Sequence, residues 1–307
     1  MVATENLLSM TFAAYICLGD PAWIEASVMS YYPYVDKIIA TYDCDGLSWA
    51  GPKIDVDVCI QRLKAIDLQN KVEFVAGRFS IAANYDNPML SETMQRQLGL
   101  ELASRHADWV LQLDTDEIIS NWKVFAAHIE HASVDGFDAL YYPSICVNQL
   151  ISRNLALESC RRWGVRQTGY PGPLCIRSGS KLYMGRRSLG NTLHVACKDS
   201  FNTVIESHAT VCDTKVFEVD CVVHITKGRT PAYMEQKFKT WGHAKDRDYD
   251  TDLKYWNLVR KYPWLLLAFS HLIRGYKLDK LRLFWLPASV KTLTLTNTLD
   301  GEVRTTT

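Results

Sequence analysis

Short apolar runs and helically spaced apolar residues alternate along the first half of the chain. Thr11 to Cys17 (TFAAYIC) is an apolar run that stops at Gly19-Asp20, which predicts a strand. Pro21 to Tyr32 then places Trp23, Ile24, Val28 and Tyr31 at helical spacing, with Pro21 suited to a first turn. Lys37 to Tyr42 predicts a second buried strand that ends at Asp43-Cys44-Asp45-Gly46. Val56, Ile60, Leu63 and Ile66 mark an amphipathic helix, and Val72 to Ala76 a third strand. Met89 to Arg105 predicts a helix with Met94, Leu98 and Leu102 on one side. Trp109 to Leu113 is a fourth strand, closed by Asp114-Thr115-Asp116-Glu117. A helix over Trp122 to His131 and a strand over Phe137 to Tyr142 complete the series. Such alternation predicts an α/β fold with a mainly parallel sheet flanked by helices. Ligands of such sheets sit at the carboxyl ends of the strands, where both acidic clusters fall.

From Pro143 to Val223 the pattern changes. Gly and Pro are frequent and the strands look short, so this part reads as an elaboration completing a site over the sheet. Helical spacing returns from Thr230, through Tyr233, Phe238 and Trp241, and then over Leu253 to Leu286. The expected organisation is a main unit over 1–245, made of halves 1–142 and 143–245, with a helical C-terminal extension over 246–307.

Composition narrows this picture in three ways. Lys plus Arg (34) balances Asp plus Glu (34), so the net charge is zero. That argues against a chain whose main task is gripping nucleic acid. The nine cysteines are an odd number with no C-x-x-C, which points to reduced thiols rather than a disulfide framework or a zinc ribbon. No Lys or Arg precedes the first apolar run, and the longest run, near Trp264 to Ile273, is broken by Ser270 and His271. A spanning helix needs about 20 residues. A cytoplasmic protein without a transmembrane helix is therefore expected.

Asp114 and Asp116 follow a buried strand and flank one residue, so they can share a hard divalent cation with open sites for a diphosphate. Asp43 and Asp45 close the second strand, where a carboxylate can meet a ribose hydroxyl or simply form a turn. Arg96, on the helix before the fourth strand, suits bidentate pairing with phosphate. His224 ends the apolar run from Cys221 and reads as a core histidine or a third metal ligand, which would favour Mn²⁺. Lys227, Arg229 and Lys237 follow it and can neutralise a diphosphate. His194, Asp199, Glu206, His208 and Asp213 are candidates for a general base, among which the sequence does not choose. Lys254 to Trp285 mixes aromatic, aliphatic and basic residues, as in a packed helical cap or a helix lying on a membrane.

Taken in order, Ile38-Ile39-Ala40-Thr41-Tyr42-Asp43-Cys44-Asp45-Gly46, Met94-Gln95-Arg96-Gln97-Leu98-Gly99-Leu100-Glu101-Leu102-Ala103 and Trp109-Val110-Leu111-Gln112-Leu113-Asp114-Thr115-Asp116-Glu117 resemble the family 2 glycosyltransferases of the GT-A fold. Val222-Val223-His224-Ile225-Thr226-Lys227, with Tyr233 and Lys237 beyond it, is similar to a segment of the lipopolysaccharide-core glucosyltransferase subgroup. The resemblance spans residues 11–243. It implies a GT-A (Rossmann-like) fold and a metal-dependent transfer from a nucleoside-diphosphate sugar, UDP by family habit, to a glycan or glycolipid hydroxyl with inversion. Asp43, Asp45, Arg96, Asp114 and Thr115 would then meet the nucleotide. Asp114, Asp116 and His224 would hold Mn²⁺ or Mg²⁺, and Lys227 and Lys237 would meet the diphosphate. Glu206 is the implied base, although the family's His-Glu pair is replaced here by Ser207-His208-Ala209. Gln97 and Ile225 stand where the family has Asn and Tyr. Peripheral contact with the inner face of a membrane through the C-terminal helices remains an alternative to the packed cap.

Three other readings compete. A haloacid-dehalogenase-type phosphatase also uses Asp-x-Asp after a buried strand, but normally the first strand. A non-catalytic nucleotide-sugar or glycan-binding protein on the same fold would bind without turnover. A nucleotidyltransferase would carry a Gly-rich basic loop after the first strand, which Ile16-Cys17-Leu18-Gly19-Asp20 is not.

Overall fold

In the computed structural model, which describes residues 10–83, 86–161, 166–169, 171–198, 204–205, 214–240, 249–272 and 280–296, the first apolar run becomes β1 (Phe12–Cys17). It is followed by α1 (Ile24–Met29), β2 (Lys37–Asp43), α2 (Val56–Ile66), β3 (Val72–Gly77), α3 (Pro88–Ala103), β4 (Trp109–Gln112), β5 (Glu117–Ile118), α4 (Trp122–Val134) and β6 (Ala139–Tyr141). The next stretch holds β7 (Ser144–Leu150), β8 (Leu155–Cys160), β9 (Thr168–Gly169), β10 (Cys175–Arg177), β11 (Leu182–Met184), β12 (Arg187–Ser188), β13 (Thr192–Lys198), β14 (Val204–Ile205), β15 (Thr214–Phe217) and β16 (Val222–His224). The chain continues with α5 (Pro231–Thr240), α6 (Tyr249–Lys261), α7 (Pro263–Phe269), β17 (Lys280–Trp285) and α8 (Ala288–Thr296).

The α/β class and the mainly parallel main sheet are as expected. Its strand order is β14-β13-β6-β10-β4-β1-β2-β3, with β15 also on β13. β1 lies parallel to β2 on one side and to β4 on the other, Ala14 facing Ile38 and Leu111. Strand order reverses at β1, and a crevice opens at such a switch point beyond the carboxyl ends. β10 runs antiparallel between β4 and β6, so the second half of the chain contributes a strand to the middle of the first half's sheet. A second sheet, ordered β17-β8-β7-β16-β5, carries the His224 strand.

Burial explains why these runs are strands. Ala13, Tyr15, Ile16, Ile38, Val110 and Leu111 are fully buried, and helices cover both faces of the sheet. Each large apolar side chain buried this way stabilises the fold by about 1.5–3 kcal/mol. α3 begins on Pro88 with Asn87 as N-cap, its side chain accepting the Met89 N–H. It packs hard against β1: a Cβ at Gly99 would come within 2.9 Å of the Tyr15 side chain.

One expectation fails locally. Helical spacing was read through Leu286, yet Lys280–Trp285 is a strand, paired antiparallel with β8 from Cys160 to Leu155. Leu281 is buried against Leu157, Tyr255, Val259 and Leu266, while Phe284 is buried on the other face. Alternating burial needs period two, which a helix does not supply. α6 and α7 do form, and they cap this strand and its neighbours. Among the described residues, no helix is long and apolar enough to cross a membrane.

Candidate functional site

A cavity of about 310 Å³ opens at the switch point. Its walls come from the loop after β1 (Gly19, Asp20), the loop after β2 (Asp43, Ser48, Trp49), α3 (Gln95, Arg96), the turn after β4 (Asp114 to Asp116), Arg186, His224 and α5 (Tyr233, Lys237).

The acidic turn is held from three sides. Ser27 of α1 donates its hydroxyl to the carbonyls of Asp114 (2.9 Å) and Glu117 (2.7 Å). The Glu117 carboxylate accepts the Asp114 N–H at 2.8 Å. β5 pairs with β16, setting His224 opposite Glu117, and Ile225 donates its N–H to the Asp116 carbonyl at 2.9 Å. That pairing is what brings His224 beside Asp116.

Asp114 sits between two arginines. Arg96 Nη2 donates to Oδ1 at 2.8 Å, and Arg186 Nη2 contacts Oδ2. Arg186 also reaches Glu117, with Nη1 at 3.1 Å from Oε1, while its Nη2 meets both carboxylates at ion-pair range without hydrogen-bond alignment. Burial works against the Asp114 charge, but Arg186 and Arg96 outweigh it and hold the carboxyl below the usual carboxylate range. Arg96 is further fixed by Glu92 at 2.9 Å and lies over the Trp49 ring. Its Nη1 is buried and, among the described residues, has no hydrogen-bond partner. An unpaired guanidinium N–H is costly unless a ligand takes it up.

Asp116 faces three cations. Arg229 Nη2 lies 2.6 Å and Lys237 Nζ 2.7 Å from Oδ2, and His224 Nε2 lies 3.3 Å from Oδ1. Burial opposes the Asp116 charge, yet Lys237, His224 and Arg229 outweigh it and hold the carboxyl well below its ordinary range. Burial alone would depress His224, but Asp116 reverses this and lifts it to about 10. Asp116 thus favours the imidazolium form, and the ring must lose its Nε2 proton before it can hold a metal. Arg229 is fully engaged: it also pairs with Asp20 at 2.7 Å and donates to the carbonyls of Ile225 and Thr226.

The other expected residues part ways. Thr115 is buried and lines the cavity. Asp43 lines it too, but its oxygens are taken by four backbone N–H groups, of Asp45, Leu47, Phe79 and Ser80. It fastens two loops, the turn role that Asp-Gly allowed. Asp45 stands outside the lining, exposed, with Arg78 at 3.8 Å. Lys227 is also outside it; its carbonyl accepts the Trp256 indole N–H. His194 stacks on Tyr141, away from the cavity. Glu206, Asp199, His208 and Asp213 lie outside the described residues.

Sequence reasoning missed Arg186 and Trp49. Arg186 follows Gly185, whose φ of +57° sets the turn between β11 and β12, and the Gly185 N–H bonds the Thr93 hydroxyl of α3. Gln112 of β4 holds the Arg186 carbonyl at 3.0 Å, and Tyr15 holds Gln112. Only an arginine after a glycine marks the spot in sequence, which is no signal on its own.

Among the described residues no group of three or more His, Cys, Asp or Glu side chains is arranged to hold a metal ion. The expected trio of Asp114, Asp116 and His224 is not assembled, because arginines occupy both oxygens of Asp114. Asp116 and His224 remain as a carboxylate–imidazole pair of the kind that suits Mn²⁺ better than Mg²⁺, but both Asp116 oxygens face protein cations as well, so such an ion would need Lys237 displaced and the His224 proton lost. Lys237 places its ammonium on that carboxylate as a stand-in cation. Asp114 fits an aspartyl-phosphate nucleophile poorly for the same reason that it fits a metal poorly.

No family model and no curated protein matches the sequence. Solved structures show faint likeness. A 4-diphosphocytidyl-2C-methyl-D-erythritol synthase from Anaerococcus prevotii is 12% identical over 57% of this chain and 74% of its own, with a TM-score of 0.33. Glucosyl-3-phosphoglycerate synthase from Mycobacterium tuberculosis, solved with Mn²⁺, UDP and phosphoglyceric acid, is 16% identical over 46% of this chain and 45% of its own, at 0.29. The bifunctional glycosyltransferase WbbM, in its apo form, is 13% identical over 44% of this chain and 23% of its own, at 0.28. This chain thus spans less than half the length of the last two. Scores this low carry no argument about this chain, whose fold and site stand on their own geometry.

Proposed function

We propose that this chain is a GT-A-type glycosyltransferase that moves a sugar from a nucleoside-diphosphate sugar, UDP-linked by family resemblance, to an acceptor hydroxyl of a glycan or glycolipid. The observation that carries the reading is Arg96. Its buried Nη1 lacks a partner beside a cavity at the switch point of a parallel sheet, where Arg186 and Lys237 also stand. Cations around a cavity of this size suit a diphosphate, and the cavity lies where nucleotides bind such sheets. Asp114 would orient Arg96 and Arg186 toward the nucleotide. Lys237 and Arg96 would stabilise negative charge as it develops on the leaving diphosphate. Asp116 and His224 would hold a divalent ion, with Lys237 moving off Asp116 as it enters. Such an ion supplies further neutralisation of the diphosphate. Inversion by one direct displacement, with Glu206 as base, is the family's route and belongs to the same reading.

The test is a thermal-shift panel of nucleoside diphosphates and nucleotide sugars, with and without Mn²⁺. A ligand binding only the native state at about 100 times its Kd adds about 2.7 kcal/mol of stability. The expected outcome is a rise with one nucleotide class, larger with Mn²⁺. No rise with any nucleotide would overturn the reading.

One observation favours a second reading, nucleotide-sugar binding without turnover. All four carboxylate oxygens of Asp114 and Asp116 already face protein cations. Hydrolysis or transfer of the bound donor, lost in Asp116→Ala, separates the two.

A further inference from the structure

α7 is apolar on both sides. Its inner side, Leu266 and Ser270, is buried near Tyr255, Val259 and Leu281. Its outer side carries Trp264, Leu265 and Phe269, each about half exposed, and continues into Leu272 at 60% exposure. These residues are one, four and three positions apart, which keeps them on a single helical face. β17 adjoins α7 and adds Trp285, 67% exposed, and Leu283 beside it on the same strand face. From Pro263 to Leu272 there is no Asp, Glu, Lys or Arg. A soluble helix normally presents polar residues outward, and a contiguous exposed apolar patch marks an interaction surface.

The charge around this patch is net positive. Among the described residues of α6, α7 and β17, Lys254, Arg260, Lys261, Lys280 and Arg282 stand against Asp250 and Asp252, a net of three positive charges in a chain whose total is zero. Lys254, Arg260 and Lys261 are exposed on α6. A second copy meeting this face by two-fold symmetry would oppose like charge to like charge. An anionic lipid surface matches both the charge and the aromatic–aliphatic face. Trp and Tyr are also the side chains that favour the membrane–water interface.

We propose that the face built by α6, α7 and β17 seats on an anionic bilayer. Trp264, Leu265, Phe269, Leu272 and Trp285 enter the interface, and Lys254, Arg260 and Lys261 meet the headgroups. The inference goes beyond the transferase reading and does not rest on it. It does add a consequence to it. Trp256 of α6 packs with Met234 and Phe238 of α5, while Tyr233, Gln236 and Lys237 of α5 line the cavity. One helix layer, about 10 Å, therefore separates the cavity from the lipid-facing layer, which suits an acceptor anchored in the membrane.

The test is sedimentation of the full chain with vesicles of phosphatidylcholine alone, or with about 30 mol% phosphatidylglycerol. Binding is expected on the anionic vesicles, weakening with salt, and about 100-fold weaker on the neutral ones. Trp264→Ala with Phe269→Ala is expected to weaken it at least about 10-fold. Lys254→Gln with Arg260→Gln and Lys261→Gln is expected to weaken it on the order of 100-fold and to flatten the salt dependence. These positions are outside the lining of the cavity at the switch point, so nucleoside-diphosphate binding, measured in parallel, is expected to stay unchanged in both variants. That readout keeps failure here separate from failure of the transferase reading. No binding, equal binding to both vesicles, or binding unchanged in both variants overturns the proposal. So does a wild-type dimer in light scattering that the aromatic variant converts to monomer, because a second copy is then the occupant.

Discussion

Two buried ionic networks, built from the same residue types, behave in opposite ways. In the second sheet, Glu158 of β8 is fully buried and meets Arg166 at 2.8 Å and Arg282 of β17 at 2.9 Å, with Arg166 also on Glu218. Burial dominates there, and the Glu158 carboxyl is pushed up despite its two arginines. Around the cavity, Asp116 is just as buried, yet three cations pull its carboxyl down. The sealed network pins strands together and stands outside the lining of the cavity at the switch point. The open one sets five cations and five carboxylates around a cavity that a ligand can reach, and each network leaves one buried polar atom without a partner among the described residues, Arg96 Nη1 and Glu158 Oε2. Burial and pairing are common to both networks. Access is what distinguishes a site from a rivet.

The largest expected effect breaks the sealed network. Arg166→Met leaves Glu158 with Arg282 alone and should cost about 3–5 kcal/mol in urea unfolding, with nucleotide binding of the folded protein retained. The cost should shrink in acid. Glu158 has a folded pKa raised above its ordinary value near 4.5, so its protonated form is the one that folding favours. That contribution is complete below 4.5 and is lost as pH rises through the folded value. A variant equally destabilised at pH 4.5 and pH 7 would contradict the contrast.

Breaking the open network should remove function beyond its cost to the fold, because a carboxyl held below its ordinary range stabilises the folded state when ionised. Asp116→Asn is expected to lower turnover of the nucleotide-sugar donor about 10²–10³-fold in a steady-state assay. If the folded Asp116→Asn protein keeps its donor turnover, both networks are rivets and the comparison collapses. A finer probe is Arg186→Lys, which keeps the charge but loses the planar fork. Calorimetric affinity for a nucleoside diphosphate should drop about 10-fold. The smallest effect is the outer control. Lys181 and Glu101 pair at 2.7 Å on the surface, and Lys181→Ala should change stability by less than about 1 kcal/mol and affinity not at all.

Much of this was legible one-dimensionally. β1 to β4 and α2 to α4 were readable because buried strands and amphipathic helices repeat over a few residues, and their ends fell within a few positions of those expected. The Asp-x-Asp turn was readable because it closes such a strand, and Lys237 because it follows His224 closely. The failures share a cause. Lys280–Trp285 looked helical because its apolar and basic residues matched the helices before it, and only pairing with β8 makes it a strand. Asp43 looked available because its four N–H partners come partly from Phe79 and Ser80, far along the chain.

Local periodicity and strand-end chemistry thus determined the α/β class and the place of the acidic turn at the carboxyl end of a buried strand, because backbone dihedral repeats are short-range. Tertiary structure decided which carboxylate is tied up, which arginine is left with a free N–H, and that Arg186 enters between Asp114 and Glu117. Those outcomes depend on contacts across the sequence, 18 positions for Arg96 and Asp114, 37 for Asp43 and Ser80, and 69 for Arg186 and Glu117, where packing rather than periodicity sets the distance. The same division holds for the outer face of α7: the sequence supplied an apolar, basic-flanked segment, and only the packing of Leu266 inward showed that Trp264 and Phe269 point outward.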